Sequence, residues 1–165
     1  MHPGSLGAVR HDELDEVYCS VAQTWAVIGE RWTMLLIREA FLGVRRYEDF
    51  RRRLGVSRNL LSDRLRVLVE QDVLDRRLYC EHPERHEYRL TEKGLALYPI
   101  LVALGAWGDR YKVSEPPITY THTGCGLECH PRLTCDRCGE PVDPREIVAH
   151  AAPDAFERVP EKVCR

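Results

Sequence analysis

The 165-residue chain has no long apolar run, no phosphate-cradling glycine-rich loop, little net charge and only three lysines, and each lack excludes a class of protein. The longest apolar stretch, Leu95 to Leu104, falls well short of the roughly 20 residues a membrane-spanning helix needs, so no span is expected. Met1 to Arg10 holds no apolar signal core, and a cytoplasmic protein is expected. His11, His82, His86 and His150 stand without a nucleophile at a recognisable spacing, so no enzyme is expected. A net charge of −2 excludes a protein that coats nucleic acid through bulk positive charge.

What is present is unevenly placed. Between Arg31 and Arg66 ten arginines stand against four acidic residues. Arginine suits bidentate contacts to phosphate and guanine, although an arginine-rich composition also follows from a GC-rich genome. A hydrophobic content of 44% allows one domain of about 100 residues and a minor module.

The segment from Arg45 to Thr91 has the order short helix, tight turn, longer helix, hairpin. Tyr47 to Leu54 carries Glu48 and Asp49 in its first turn, where the helix dipole favours negative charge, and Gly55 follows as a helix stop. Ser57 is a strong N-cap for the next helix, Arg58 to Asp72, with Val56 before it placed to staple onto Leu61. Two helices joined by so short a turn cross steeply, as in a helix-turn-helix. On the second helix Leu61, Leu65 and Leu68 share one face, while Asn59, Ser62, Asp63 and Arg66 lie opposite with Arg58 at the start. These are side chains suited to base edges and phosphates, and equally the ordinary solvated face of an amphipathic helix.

A hairpin follows, with Leu74, Leu78 and Cys80 facing one way, Arg77 and Tyr79 the other, and Tyr88 and Leu90 on one face of the return strand. Its loop is expected over 81–85, which puts Arg85 where it could enter a minor groove or hold a phosphate. Two apolar stripes flank this region at helical spacing: Val17, Val21, Trp25 and Ile28 before it, and Leu97, Ile100, Leu101, Leu104 and Trp107 after it. Pro99 is expected to kink the last helix. The stripes serve either as monomer core or as an assembly surface.

Residues Cys19 to Tyr111 resemble the HxlR family of bacterial winged helix-turn-helix transcription regulators. The likeness rests on Cys19 before a first helix, Ile28-Gly29 and Arg31-Trp32, Arg46-Tyr47-Glu48-Asp49-Phe50, Ser57 with Leu60-Leu61-Ser62-Asp63-Arg64-Leu65, Pro83 to Thr91 with Gly94, and Trp107-Gly108. One departure lies at the helix-to-strand corner, where Asp72-Val73-Leu74 stands in place of the family's usual glycine. The resemblance implies a homodimer joined by its first and last helices; the polar helix face and the hairpin give Arg46, Ser57, Arg58, Asn59, Ser62, Asp63, Arg66 and Arg85 as the candidate DNA-contacting set. Two-fold symmetry places the recognition helices about 34 Å apart and favours an inverted repeat. The resemblance also makes Cys19 a possible redox sensor, against the plainer role of a small residue packed at an interface.

Ser114-Glu115-Pro116-Pro117 marks a linker. Beyond it, His122-Thr123-Gly124-Cys125-Gly126 and Cys135-Asp136-Arg137-Cys138-Gly139 each carry a ligand pair two residues apart and then a glycine. A tetrahedral zinc ion takes four such ligands at about 2.0–2.3 Å, so His122, Cys125, Cys135 and Cys138 are candidate ligands of a structural, zinc-ribbon-like site, with Cys129 and His130 as nearby substitutes. A thiol pair at Cys135 and Cys138 is the competing reading; a thioredoxin-like enzyme is disfavoured because this Cys-x-x-Cys does not open a helix.

The expected fold is mainly α (α+β): a winged helix-turn-helix with dimerising first and last helices over 12–113, a zinc-ribbon-like module over 118–148, a flexible N-terminus over 1–11 and a tail over 149–165. The expected function is a sequence-specific, non-enzymatic transcription regulator, a repressor on double-stranded DNA, responsive to an oxidant or a small molecule and without a membrane partner. The alternative is a general transcription-initiation-type winged-helix and zinc-ribbon factor that contacts proteins; a thiol oxidoreductase ranks third.

Overall fold

A computed structural model of the protein describes residues 11–153 and 155. Of the expected N-terminus 1–11 only His11 is described, and most of the expected tail 149–165, with Cys164, lies outside the described residues. A 3-10 turn at His11–Glu16 precedes α1 (Ser20–Ile28), α2 (Thr33–Phe41), α3 (Tyr47–Leu54), α4 (Arg58–Glu70), β1 (Leu74–Glu81), β2 (Glu84–Leu90), α5 (Glu92–Leu95), α6 (Tyr98–Tyr111), β3 (Tyr120–His122) and β4 (Leu127–Cys129). The chain forms two compact units. One runs through the described residues up to Leu97, and the other is Tyr98–Ala151, so α6 groups with the C-terminal module, ahead of the linker expected at 114–117.

The core of the first unit is built on α4. Leu61, Leu65 and Leu68 are fully buried together with Phe50 of α3, Leu36 and Ile37 of α2, and Val73 and Leu74 at the start of the wing. Each such side chain contributes about 1.5–3 kcal/mol by leaving water. Ser57 caps α4 as expected, its hydroxyl accepting the Leu60 N–H at 3.3 Å, and Gly55 closes α3 with φ 66°. The α3–α4 junction is therefore the short, capped turn that the sequence predicts.

β1 and β2 pair antiparallel from Leu74↔Leu90 to Glu81↔Glu84. The strands run further toward the tip than expected, and the loop is His82–Pro83 alone. Arg85 accordingly lies within β2 opposite Cys80. A bulge between Leu78 and Cys80 breaks the expected alternation there, because an extra residue on one strand shifts the faces beyond it. Arg46 forms an isolated antiparallel bridge to Glu87, and the Tyr88 N–H donates to the Arg45 carbonyl at 2.8 Å, which fixes the wing to the start of α3.

Two further expectations are corrected. Pro99 is the second residue of α6, in the first turn, where a missing N–H costs no intrahelical bond, so it starts the helix instead of kinking it. Val17 lies ahead of α1, buried, while Val21 and Trp25 of the same expected stripe remain exposed.

The corner between α4 and β1 explains the unusual Asp72. Its φ is 56°, in the left-handed region that glycine occupies without cost and that aspartate tolerates better than most residues. The Thr91 hydroxyl donates to the Asp72 carbonyl at 2.6 Å, and the Lys93 ammonium to the Gln71 carbonyl at 2.7 Å, so the corner is held by the segment after the wing. Gly94 of that segment lies so close to the Val73 carbonyl that a Cβ there would overlap it. Asp72→Gly should raise stability by up to about 1 kcal/mol, and Gly94→Ala should lower it by about 1–3 kcal/mol, both measured by urea denaturation.

Candidate nucleic-acid interface

Burying the leucine face of α4 turns Arg58, Asn59, Ser62, Asp63 and Arg66 outward, and all five are exposed. Tyr47 holds this helix to α3: its hydroxyl donates to the Arg58 carbonyl at 2.9 Å and lies 3.1 Å from the Ser62 hydroxyl. The Ser57 hydroxyl is occupied as the helix cap, which leaves Ser57 a structural role at the start of the face. Arg66 bonds both oxygens of Glu70, at 2.8 and 3.0 Å, one turn along the helix. Hydrogen bonding and then charge from Glu70 hold its guanidinium pKa above the ordinary value. To reach a base or a phosphate Arg66 must exchange that partner.

The wing supplies the other side. The Arg46 guanidinium lies 4.9 Å over the ring of Tyr79, a cation–π contact that ties the start of α3 to β1. Arg85 is exposed near the tip of β2 and carries no ion pair among the described residues. Between wing and α3 an open cleft of about 500 Å³ is lined by Arg45, Arg46, Arg52 and Arg53 with Asp49 and Glu87.

The arginine cluster is less available than its count implies. Arg38 and Arg53 both bond Glu39, which is only 3% exposed, while Arg51 pairs with Glu48, Arg52 with Asp49 at 2.5 Å, Arg64 with Glu30 at 3.5 Å and Arg66 with Glu70. Four of the ten, Arg31, Arg45, Arg46 and Arg58, have no ion pair among the described residues, and Arg46 is stacked on Tyr79. Sequence reading counted Arg45 only toward net charge, and it missed Tyr47 as the link between the helices; the adjacency of Arg45-Arg46-Tyr47 to the helix start was the available signal.

The geometry is thus a winged helix-turn-helix with an outward polar helix face and an arginine-rich junction. Residues 27–116 match the HxlR-like helix-turn-helix family. The chain belongs to that family. This HxlR-like chain is 47% identical over 136 residues to Rv3095, an uncharacterized HTH-type transcriptional regulator of Mycobacterium tuberculosis, covering 81% of this chain and 86% of that one. Among solved structures it is similar to PA1607, described as a candidate transcription factor, with TM-score 0.74 and 33% identity over 84% of this chain and 98% of that one. It is also similar to the redox regulator HypR in its oxidized form, with TM-score 0.54 and 32% identity over 58% of this chain and 99% of that one. No described helix of the HxlR-like chain is long and apolar enough to cross a membrane.

Cys19 is half-buried and stands at the N-cap of α1 with no side-chain capping bond. In the second unit, the His122 ring nitrogen Nδ1 lies 3.4 Å from the Cys125 sulfur. Cys135 and Cys138 also meet: backbone N–H groups of Arg137 and Cys138, followed by the Cys138 side chain, hold the Cys135 thiol pKa below its ordinary value. Among the described residues no three His, Cys, Asp or Glu side chains gather into one metal-holding group, so the four expected ligands are present as two separate pairs. Cys129 is on β4 opposite Tyr120, outside both turns.

Glu39 offers a test of how charge is managed beneath this surface. Burial raises its pKa, but hydrogen bonds and charges from Arg38 and Arg53 outweigh that and leave the carboxyl below its usual 4.5. A depressed folded value contributes stability that is full above about pH 4.5 and is lost as pH falls through the folded value. Glu39→Gln should lower stability by roughly 1–3 kcal/mol at neutral pH and flatten the acid limb of a urea-midpoint profile.

Proposed function

We propose that the protein is a transcription regulator that binds double-stranded DNA as a homodimer, laying α4 of each copy into adjacent major grooves of an inverted repeat and repressing by occupying a promoter. The observation that carries this is the two-sided α4: a leucine face fully buried and an opposite face of Arg58, Asn59, Ser62, Asp63 and Arg66 fully presented. Asn59 and Arg66 are the base-reading candidates, since amide and guanidinium groups pair bidentately with adenine and guanine edges. Arg46, Arg58 and Arg85 are assigned to phosphates, which position the protein without reading sequence.

Support for the dimer comes from exposed apolar side chains. Val21 is 75% exposed and Trp25 48% on α1, and Leu104 and Trp107 are 49% and 56% exposed on α6. Such residues on two helices are what a symmetric interface covers.

A thiol-responsive regulator is favoured by one specific observation. Cys19 lies beside the exposed α1 face, and the redox regulator HypR is among the similar structures. Oxidation of Cys19 would then alter the interface and the spacing of the two α4 helices.

A mobility shift against the DNA upstream of its own gene separates this reading from a general initiation factor: a specific, salt-sensitive complex with a palindromic footprint is expected, whereas binding that requires RNA polymerase would replace the proposal with the second reading. Arg66→Ala or Asn59→Ala should cost about 1–3 kcal/mol of preference for the cognate site, while Arg46→Ala should weaken all DNA alike and reduce the salt slope by about 1. Val21→Glu should yield a monomer by sedimentation and abolish binding to the palindrome. Diamide should weaken binding of the native protein and leave Cys19→Ser unaffected; equal sensitivity would discard the thiol switch.

A further inference from the structure

The C-terminal module of the second unit has defined turns and strands without a core. β3 and β4 pair from Tyr120↔Cys129 to His122↔Leu127, and Thr134 bridges Pro141, yet no residue from Lys112 to Pro153 is buried, and Leu127, Leu133, Ile147 and Val148 are all exposed. Tyr120 meets a helix: its ring lies edge-on to that of Tyr98 of α6 at 6.5 Å. Apolar burial is the usual source of stability, and a segment this short without it needs a cross-link or a metal.

The same segment contains two turns of matching construction. In the first, the Gly126 N–H donates to the His122 carbonyl at 2.8 Å with Gly126 at φ 72°; in the second, the Gly139 N–H donates to the Cys135 carbonyl at 2.8 Å with Gly139 at φ 76°. Each turn therefore brings a ligand at its first position beside a cysteine at its fourth. In the first turn Nδ1 of His122 is 3.4 Å from Sγ of Cys125, and Gly124 leaves room for the imidazole, because a Cβ there would come within 2.9 Å of the ring. Each turn also lies at the end of its own antiparallel pairing, with the Cys135 N–H donating to the Glu140 carbonyl at 2.9 Å. The repeated device is a chelating knuckle, and nothing in DNA recognition by α4 uses it.

We propose that the module is a structural metal site in which one zinc ion is shared by His122, Cys125, Cys135 and Cys138, drawing the two preformed knuckles onto a single centre. Three thiols and one imidazole fit zinc, which favours sulfur and nitrogen donors in fours. Binding converts each of the three thiols to a thiolate with release of a proton to solvent, while His122 binds as the neutral ring. Four protein ligands leave no position for a substrate, so the ion's role is to supply the stability that the missing core does not. Cys129 and His130 fall outside both knuckles and are excluded from the ligand set.

The test is the metal content of the full-length protein purified without chelator and dialysed, read by elemental mass spectrometry. About one zinc per chain is expected, falling to background in Cys138→Ser and in His122→Ala and unchanged in Cys129→Ser and His130→Ala. Because a ligand variant can lose its metal by unfolding, cobalt replacement of the native protein gives a second reading. Intense visible bands of tetrahedral cobalt with thiolate charge transfer are expected, and they should bleach on acidification as the sulfurs regain their protons. A zinc-free protein that takes up no cobalt, a zinc content lost in Cys129→Ser but kept in Cys138→Ser, or a Cys135–Cys138 disulfide in the protein as isolated from cells would each overturn the proposal. Operator binding by the first unit is a separate measurement, so failure here leaves the regulator reading standing.

Discussion

The burial of Leu61, Leu65 and Leu68 is the constraint on which the first unit depends. Once those three side chains meet Phe50, Leu36 and Ile37, α4 has no rotational freedom left, and the polar residues on its far side are placed without further instruction. Ser57 at one end and the Asp72 corner at the other then set where the helix begins and how the chain leaves it. The wing follows from the same anchoring: Val73 and Leu74 are buried in the same apolar cluster as the leucines of α4, which fixes where the hairpin starts.

Charge is arranged on a second principle, internal pairing. The arginines from Arg31 to Arg66 give a large positive excess, but acidic residues hold six of the ten: three pair one helical turn away, two share the buried Glu39, and Arg64 pairs with the distant Glu30. Exposed pairs of this kind contribute little to stability and screen easily, so their guanidinium groups can be released at small cost. Glu39 differs, since it is buried and ties α2 to α3 through Arg53. Of the four left without a carboxylate, Arg45 and Arg46 lie where the wing meets the start of α3, Arg46 stacked on Tyr79, while Arg58 opens α4 and Arg31 precedes α2. Position, more than net charge, makes this surface suited to a polyanion.

The two units are stabilised by different physics. Up to Leu97 the chain has a continuous apolar cluster, whereas the module after α6 relies on backbone pairing and tight glycine turns. The similarity to PA1607 extends over 84% of the chain, more than the matched span 27–116 covers.

The sequence by itself determined the helix-turn-helix: leucines three and four apart, a serine cap and a glycine stop are local signals, and α3 and α4 lie where they predict, with α4 ending at Glu70, two residues early. It also made the two glycine-closed turns at His122 to Gly126 and Cys135 to Gly139 legible, because each is local in the chain. What it left open depended on partners distant in sequence. Arg85 lies in a strand because the pairing runs to Glu81↔Glu84; Arg66 is engaged because Glu70 comes round on the same face; Asp72 takes the conformation expected of glycine because Thr91 and Lys93 grip the corner from about twenty residues away. Periodicity specifies which face of an element is buried, but strand register, ion-pair choice and the fate of an apolar stripe are set only when separate elements meet, and that is where the tertiary structure decided.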